Sequence, residues 1–393
     1  MQFEEKSRLL AKGNGVMTTE QVTGIGTACA YVSGRKRLLV GHSGEKGAHA
    51  LALAFSSGAA AAGSEVIFAG ECAAPAASYA GTMLGCTLTA FVHTEITSVI
   101  QLYDREGMGL FRSTEERILS AAGHAKSLPY AHFGRITAFD SADKLYAAKM
   151  RETIKGELHG IFADICSPSS SVIKVCDEIL LGKNDKNGTR IAFHISGNSG
   201  RSSAYTEETG YVNEDRLILL CQRDRLSRGE SIAVCGKPSM ALEGLAKEYG
   251  GKILSCGRNI CISDKEPSKE CIEARTLAAE QGFLHDGIAL AAEVLELLRR
   301  RNITLAEAVS ELPSQAVISR YIPADKPSEL LRRLCATGCT EDGVLADSPA
   351  GRVSIRPVRT GKGIILGVES YALEAAEELC GFYADIISGA MRY

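Results

Sequence analysis

The densest run of chemistry-bearing side chains is Arg356-Pro357-Val358-Arg359-Thr360-Gly361-Lys362-Gly363. Three cations within seven residues repel one another unless solvent or an anion screens them. Gly361 and Gly363 let backbone N–H groups turn toward a common point, and Thr360 adds a hydroxyl. Arg356, Arg359, Thr360 and Lys362 are therefore candidates for holding a phosphate, with a solvated basic turn as the alternative. Two shorter basic runs, Arg35-Lys36-Arg37 and Arg299-Arg300-Arg301, stand at element edges and read as solvated faces. Thirteen cysteines raise the question of metal or redox chemistry, but no C-x-x-C pair occurs. Cys335 and Cys339 are four apart and Cys256 and Cys261 five apart, with no second pair at zinc-site spacing. Buried, reduced thiols are the expected state.

Positioning such groups takes a framework. A chain of 393 residues exceeds one hydrophobic core and should divide into roughly two to four domains. Hydrophobic residues at 45% and charged residues at 23% are the balance of an ordinary globular protein. A formal net charge of -3 provides no field to hold nucleic acid or an anionic membrane. No run approaches the ~18 apolar residues of a membrane span. The segment 1–10 is charged and has no apolar stretch of the signal-peptide kind, so a cytoplasmic protein is expected.

Strands and helices alternate along the chain. Residues 37–41 read as a buried strand, 48–62 as an Ala-rich helix closed by Gly63, 65–69 as a strand, 75–84 as a helix and 86–92 as a strand. Such βαβ units imply a parallel or mixed sheet covered on both faces. The theme restarts at 160–165, 172–181 and 190–194, and again at 231–235, 239–249 and 252–256. A long amphipathic helix follows from about 287 to 300. The tail differs, with strands at 351–355 and 364–369 and a helix from Ala372, which reads as a separate α+β domain.

Leu39-Val40-Gly41 through Val66-Ile67 to Pro75, Leu312-Pro313 after a helix, and Asp342-Gly343-Val344 share one framework. On these residues the chain resembles the alpha-D-phosphohexomutases (phosphomannomutase, phosphoglucomutase and phosphoglucosamine mutase) over nearly its whole length. The resemblance implies an α/β protein of four-domain architecture around a central cleft. Three α/β modules with mixed sheets would occupy 1–137, 138–225 and 226–325, and a C-terminal α+β domain 326–393. It also implies a phosphosugar ligand. The family's phosphate clamp R-P-S-G-T-E-P survives here as Arg356, Pro357 and Thr360, with Arg359 and Lys362 added.

The catalytic motifs depart from the family. Its T-A-S-H-N-P, whose serine carries the phosphoryl group, aligns without gaps on Thr89-Ala90-Phe91-Val92-His93-Thr94. That register runs on into Val99-Ile100-Gln101-Leu102-Tyr103 and puts Phe91 at the serine position, expected at the cleft end of a strand. A phenyl ring has no oxygen to accept a phosphoryl group. Thr94, three residues on, is a weak substitute, because in-line transfer depends on position. The magnesium loop D-G-D-A-D-R becomes His194-Ile195-Ser196-Gly197-Asn198, so neutral groups replace three carboxylates. No metal and no other cofactor is expected. Arg201 keeps a basic residue displaced by two positions.

The N-terminal F-G-T-S-G-x-R-G loop has no counterpart within residues 3–14, and G-R-D-T-R appears as Gly41-His42-Ser43-Gly44-Glu45. The sugar-reading G-E-E-S-G-H is missing, with Leu277–Gly282 leading quickly to His285-Asp286-Gly287. By the family layout His42, His93, His194, Asn198 and Arg201 face the cleft. Converging histidines would make a transition-metal site or an acid–base pair, with Glu95 and Asp286 as extra ligands. Drift at polar positions is the plainer alternative. Two functions follow from the resemblance. The first is a catalytically degenerate pseudo-mutase that binds a phosphosugar, another small anion or a protein partner. The second is an active intramolecular phosphotransferase working through displaced groups. Neither nucleic acid nor membrane is an expected partner, and a monomer or a homodimer would fit.

Overall fold

The computed structural model describes residues 1–4, 7–11, 16–94, 97–256, 268–334, 339–340, 343–358 and 363–391, to which all statements below refer. They group into two compact units: Met1–Cys221 with Ala279–Val309, and Gln222–Ala278 with Ser310–Tyr393.

The first unit opens with β1 (Gln2–Phe3), β2 (Arg8–Leu10), α1 (Thr19–Val32), β3 (Leu38–His42), α2 (Lys46–Ala61) and β4 (Val66–Glu71). It continues with α3 (Ala74–Met83), β5 (Leu88–Thr94), β6 (Ser98–Asp104), α4 (Arg112–Ala122) and β7 (Ile136–Ala138). The sheet order is β1-β2-β6-β5-β3-β4-β7. β5, β3, β4 and β7 run parallel, and β6, β2 and β1 add antiparallel neighbours, so the sheet is mixed as expected. β3 is buried at every position, which explains its unbroken Leu-Leu-Val-Gly run: helices cover both faces.

Period-two alternation divides the side chains. Leu38, Val40, Leu88, Ala90 and Val92 join Val22, Ile25, Phe55 and Ile118 in the core under α1, α2 and α4. Thr89 and Phe91 lie on the other face, against α3: a Cβ added at Gly81 would strike the Thr89 hydroxyl, and one at Gly41 would meet Ala77 and Phe91. α1 begins at a capping box in which Thr18 and Gln21 exchange side-chain and backbone hydrogen bonds. It crosses α2 at two glycines. A Cβ at Gly26 would sit 2.2 Å from the Phe55 carbonyl oxygen, and one at Gly58 2.1 Å from that of Thr23. The Thr27 hydroxyl donates to the Gly58 carbonyl at 3.1 Å across this contact.

The second module comprises α5 (Ala142–Thr153), β8 (Ile161–Cys166), α6 (Ser170–Leu180), β9 (Thr189–Ile195), β10 (Ser202–Thr206) and β11 (Gly210–Val212). Its sheet, β11-β10-β9-β8, is also mixed. The chain leaves the first unit within α7 (Glu214–Ser227), forms β12 (Ile232–Cys235), α8 (Met240–Tyr249) and β13 (Ile253–Cys256), and returns through α9 (Lys269–Glu280). Then come α10 (Gly287–Arg301), α11 (Leu305–Ser310), β14 (Ala316–Pro323), α12 (Pro327–Leu334), β15 (Cys339–Thr340) and β16 (Gly343–Ser348). β17 (Gly351–Pro357), β18 (Gly363–Ser370) and α13 (Leu373–Met391) complete the chain.

Among the described residues β12 and β13 form a two-stranded parallel ladder. Two elements fall on the other side of the expected boundaries. The helix assigned to the stretch 226–325 belongs to the first unit: α10 is buried along Ile288, Leu290, Val294, Leu295 and Leu298 and packs with α5, β9 and β10. β14, placed before the boundary at 326, pairs with β18 as the edge of the last sheet, β14-β18-β17-β16-β15, which is antiparallel throughout. Ile355, Ile364, Leu366 and Val368 of that sheet pack on Ala376, Cys380 and Ile387 of α13. Within the basic runs, Arg37 makes a surface ion pair with Glu65 at 3.2 Å, and Arg299 pairs with Glu296 at 2.7 Å.

The α1–α2 crossing supplies a test. Gly26→Ala should cost about 1–3 kcal/mol by overpacking two backbones, outweighing its better helix propensity. In the same helix, a Cβ at Gly24 would meet only the Ala122 carbonyl at 3.8 Å. Gly24→Ala should therefore gain about 0.5–1 kcal/mol. Urea midpoints of the two variants should move in opposite directions.

Candidate functional site

In the first unit β3 lies between β5 and β4, and the chain leaves β3 to one side and later returns to the other. In α/β sheets such a switch point opens a crevice beyond the carboxyl ends of the strands. His42 closes β3, Glu71 closes β4 and Thr94 closes β5.

His42 is buried and makes two contacts that fix its proton. Its Nδ1 lies 2.6 Å from the Ser43 carbonyl oxygen, which can only accept, so Nδ1 carries the hydrogen. Nε2 of the neutral ring is then the acceptor for His49 Nδ1–H at 2.9 Å. His49, on the first turn of α2, is exposed and keeps the Nε2 lone pair as a base. Burial holds the His42 pKa below its ordinary value, and Ser43, Glu71 and Glu45 oppose this only in part. The Glu71 carboxylate lies over the β3–α2 turn, since a Cβ at Gly44 would come within 2.8 Å of its Oε1. That oxygen also accepts from Ser170 and Ser171 at 3.4 Å, tying the turn to the start of α6. Ser43 Oγ donates to Glu45. Thr94 is half-buried, and its hydroxyl would be 3.9 Å from a Cβ placed on Gly47 in the first turn of α2.

The three candidate histidines do not converge. His42 pairs with Val92 in the β3–β5 ladder, so His93 projects from the opposite face. His93 is 4% exposed with neither ring nitrogen partnered, its ring 6.2 Å from that of Phe91. Burial, and then the positive charge of Arg8, push its pKa down to about 4 against the pull of Glu45. Phe91 is not at the strand end. It occupies the middle of β5, 1% exposed, paired with Gly41 on one side and Gln101 on the other, and Thr94 takes the terminal position.

His194 is exposed on β9, and no hydrogen bond or ring contact among the described residues joins it to His42 or His93. Beyond it the loop closes on itself. Ser196 Oγ donates to Asn198 Oδ1 at 2.9 Å, and the Gly200 N–H donates to the same oxygen at 3.1 Å. The Arg201 N–H donates to Ser196 Oγ at 3.1 Å, leaving the Arg201 side chain at an exposed position. Ser199 takes φ 55°, and its carbonyl accepts from the Gly287 N–H at 2.7 Å. Asp286, a ligand only if the histidines converged, instead caps α10 through the N–H groups of Ile288 and Ala289 and accepts from the Tyr146 hydroxyl. No group of three His, Cys, Asp or Glu among the described residues is arranged to hold a metal ion. Arg356 lies near the end of β17, half-buried; Arg359, Thr360 and Lys362 of the basic loop, like Glu95, fall outside the described residues.

His49 and Glu71 are the residues sequence reasoning missed. The signal was a three-residue connection, 43–45, between a strand and a helix. So short a turn folds the first helical turn, with His49 on it, back over His42.

Residues 7–127 match the family model described as phosphoglucomutase/phosphomannomutase, alpha/beta/alpha domain I. The phosphoglucosamine mutase of Rubrobacter xylanophilus is 22% identical, over 98% of this chain and 99% of its own. That of Paenarthrobacter aurescens is 24% identical over 95% and 94%. The fold is similar to the crystal structure of a phosphoglucomutase/phosphomannomutase family protein from Burkholderia thailandensis, with TM-score 0.75 over 99% and 97% of the chains at 16% identity. It is also similar to pp63/parafusin, a phosphoglucomutase from Paramecium, in its open form, with TM-score 0.64 over 100% and 99% at 11% identity.

His93 makes stability depend on pH. Its folded pKa lies below the unfolded value of about 6.5, so the unfolded chain binds the proton more readily. Its stabilising effect is full above pH ~6.5 and is lost as pH falls toward 4, on the order of 3 kcal/mol in all. His93→Phe should shrink the stability difference between pH 7.5 and pH 4 by about that amount in denaturant titrations.

Proposed function

We propose, on the premise that this chain belongs to the alpha-D-phosphohexomutase superfamily, that it binds a phosphorylated sugar or a similar anion without running the serine-based phosphoryl relay. The observation that carries this reading is Phe91. At the position aligned with the family serine stands a ring packed into the α3 face of the sheet, sharing its space with Gly41 and Ala77. In that alignment the phenyl ring offers no oxygen to a phosphoryl group.

The second-module loop supports the same reading. Asn198 Oδ1 accepts from two donors, and Ser196 Oγ both donates and accepts within the loop. Such neutral, internally engaged oxygens do not suit magnesium, which selects carboxylate and water oxygens in octahedral array. No step through a metal is assigned. Arg356, with Arg359, Thr360 and Lys362 in the β17–β18 connection, is proposed to hold the phosphate, chiefly by charge.

A second reading has its own observation. Thr94, not Phe91, closes β5, its hydroxyl lies beside the first turn of α2, and the base His49 stands on that turn. A relocated nucleophile would sit there. Intact mass after incubation with a hexose 1,6-bisphosphate separates the two. We expect no phosphoryl adduct and no interconversion of glucose, mannose or glucosamine phosphates. An adduct that disappears in Thr94→Ala would establish the second reading instead.

Anion binding has a separate test by calorimetry with glucose 1-phosphate and with a phosphoglucosamine. The native chain should give heats that weaken as salt rises, and Arg356→Ala with Arg359→Ala should lose them. Equal heats from both proteins would make the loop a surface turn.

A further inference from the structure

Outside the site, one pair of side chains combines reactivity, contact and access. Cys235 ends β12 and Cys256 ends β13, and the parallel ladder pairs them directly. Their sulfurs lie 3.7 Å apart. Cys235 is exposed, whereas Cys256 is 1% exposed, and both are reduced. Neighbouring strands run about 4.8 Å apart, inside the Cα separation of about 4.4–6.8 Å that a disulfide spans. Small side-chain rotations therefore suffice to bring the sulfurs to bonding distance.

We propose that Cys235 and Cys256 form a reversible disulfide, a modification site for low-molecular-weight disulfides. The Cys235 thiolate attacks one sulfur of R–S–S–R. A new S–S bond joins Cys235 to that RS group, the S–S bond of R–S–S–R breaks, and the released RS⁻ takes up the proton that Cys235 gave. Cys256 then attacks the Cys235 sulfur. The Cys235–Cys256 bond forms as the Cys235–S–R bond breaks, and the second RS⁻ leaves with the Cys256 proton. Two protein thiols are oxidised, and one small disulfide is reduced to two thiols.

The order follows from access. Only Cys235 meets an oxidant in solution. The contact with Cys235 and then burial keep Cys256 protonated and slow on its own, but a sulfur in contact needs no encounter to resolve the mixed disulfide. The bond must close across strands already held by the Gly236 N–H to Cys256 carbonyl hydrogen bond at 2.6 Å, and one partner is exposed. Strained or exposed disulfides are the readily reduced class. The pair should therefore cycle.

The test is incubation of the reduced full chain with oxidised glutathione, then alkylation, intact mass and non-reducing peptide mapping. Exposed Cys166 serves as an internal control and should keep a glutathione adduct. The pair should lose two hydrogens and yield one linked peptide, reversed by dithiothreitol. Cys256→Ser should trap glutathione on Cys235, and Cys235→Ser should leave Cys256 as a thiol. The proposal is overturned if native Cys235 retains glutathione as Cys166 does, if Cys256 links to Cys271 instead, or if Cys235 does not react.

Discussion

The parity of β5 governs what its end can do. Once Leu88, Ala90 and Val92 are committed to the core under α1 and α2, Thr89, Phe91 and His93 must face α3. Nothing about residue 91 can then be changed alone. Its ring fills space that Gly41 leaves by having no side chain, in a layer shared with Cys72 and Ala77. The same parity sends His42 to the α2 side, where it meets His49, and keeps His93 from joining them.

The two histidines illustrate how environment divides one residue type into two roles. His42 is buried but hydrogen-bonded at both nitrogens, so it is held neutral in one tautomer and orients a neighbour. His93 is buried with no partner, a state that is tolerable only because its pKa falls far enough to leave the ring uncharged. One carboxylate nearby follows the same rule. Asp143 accepts from the Ala73 N–H at 2.9 Å, yet burial still raises its pKa to about 6. His42 and Asp143, beside the β3 and β4 ends, are thus biased toward their neutral forms.

Much of the fold was legible in the chain because it is written locally. Apolar runs of strand length, Ala-rich helical windows and the glycines that close them locate β3 through β5 and β12 through β13 to within a few residues. What could not be read were relations between segments. The resemblance puts Phe91 at a strand end because an ungapped match fixes order but says nothing of where pairing stops; β6 pairs with β5 as far as Thr94 and Ser98. Likewise, three histidines on loops of one family layout say nothing about which face each side chain leaves. Asp286 looked like a ligand from its type, but its place before an apolar helix was the signal of an N-cap.

The discontinuous first unit has a consequence for synthesis. α10 fills that unit's core, and its capping carboxylate receives the buried Tyr146 hydroxyl, yet it lies downstream of β12, α8 and β13. During translation the first 221 residues therefore emerge without a helix they require. Part of the other unit must leave the ribosome before the first can close. A nascent chain at that stage presents an apolar face and unpaired polar groups, the kind of surface that chaperones hold.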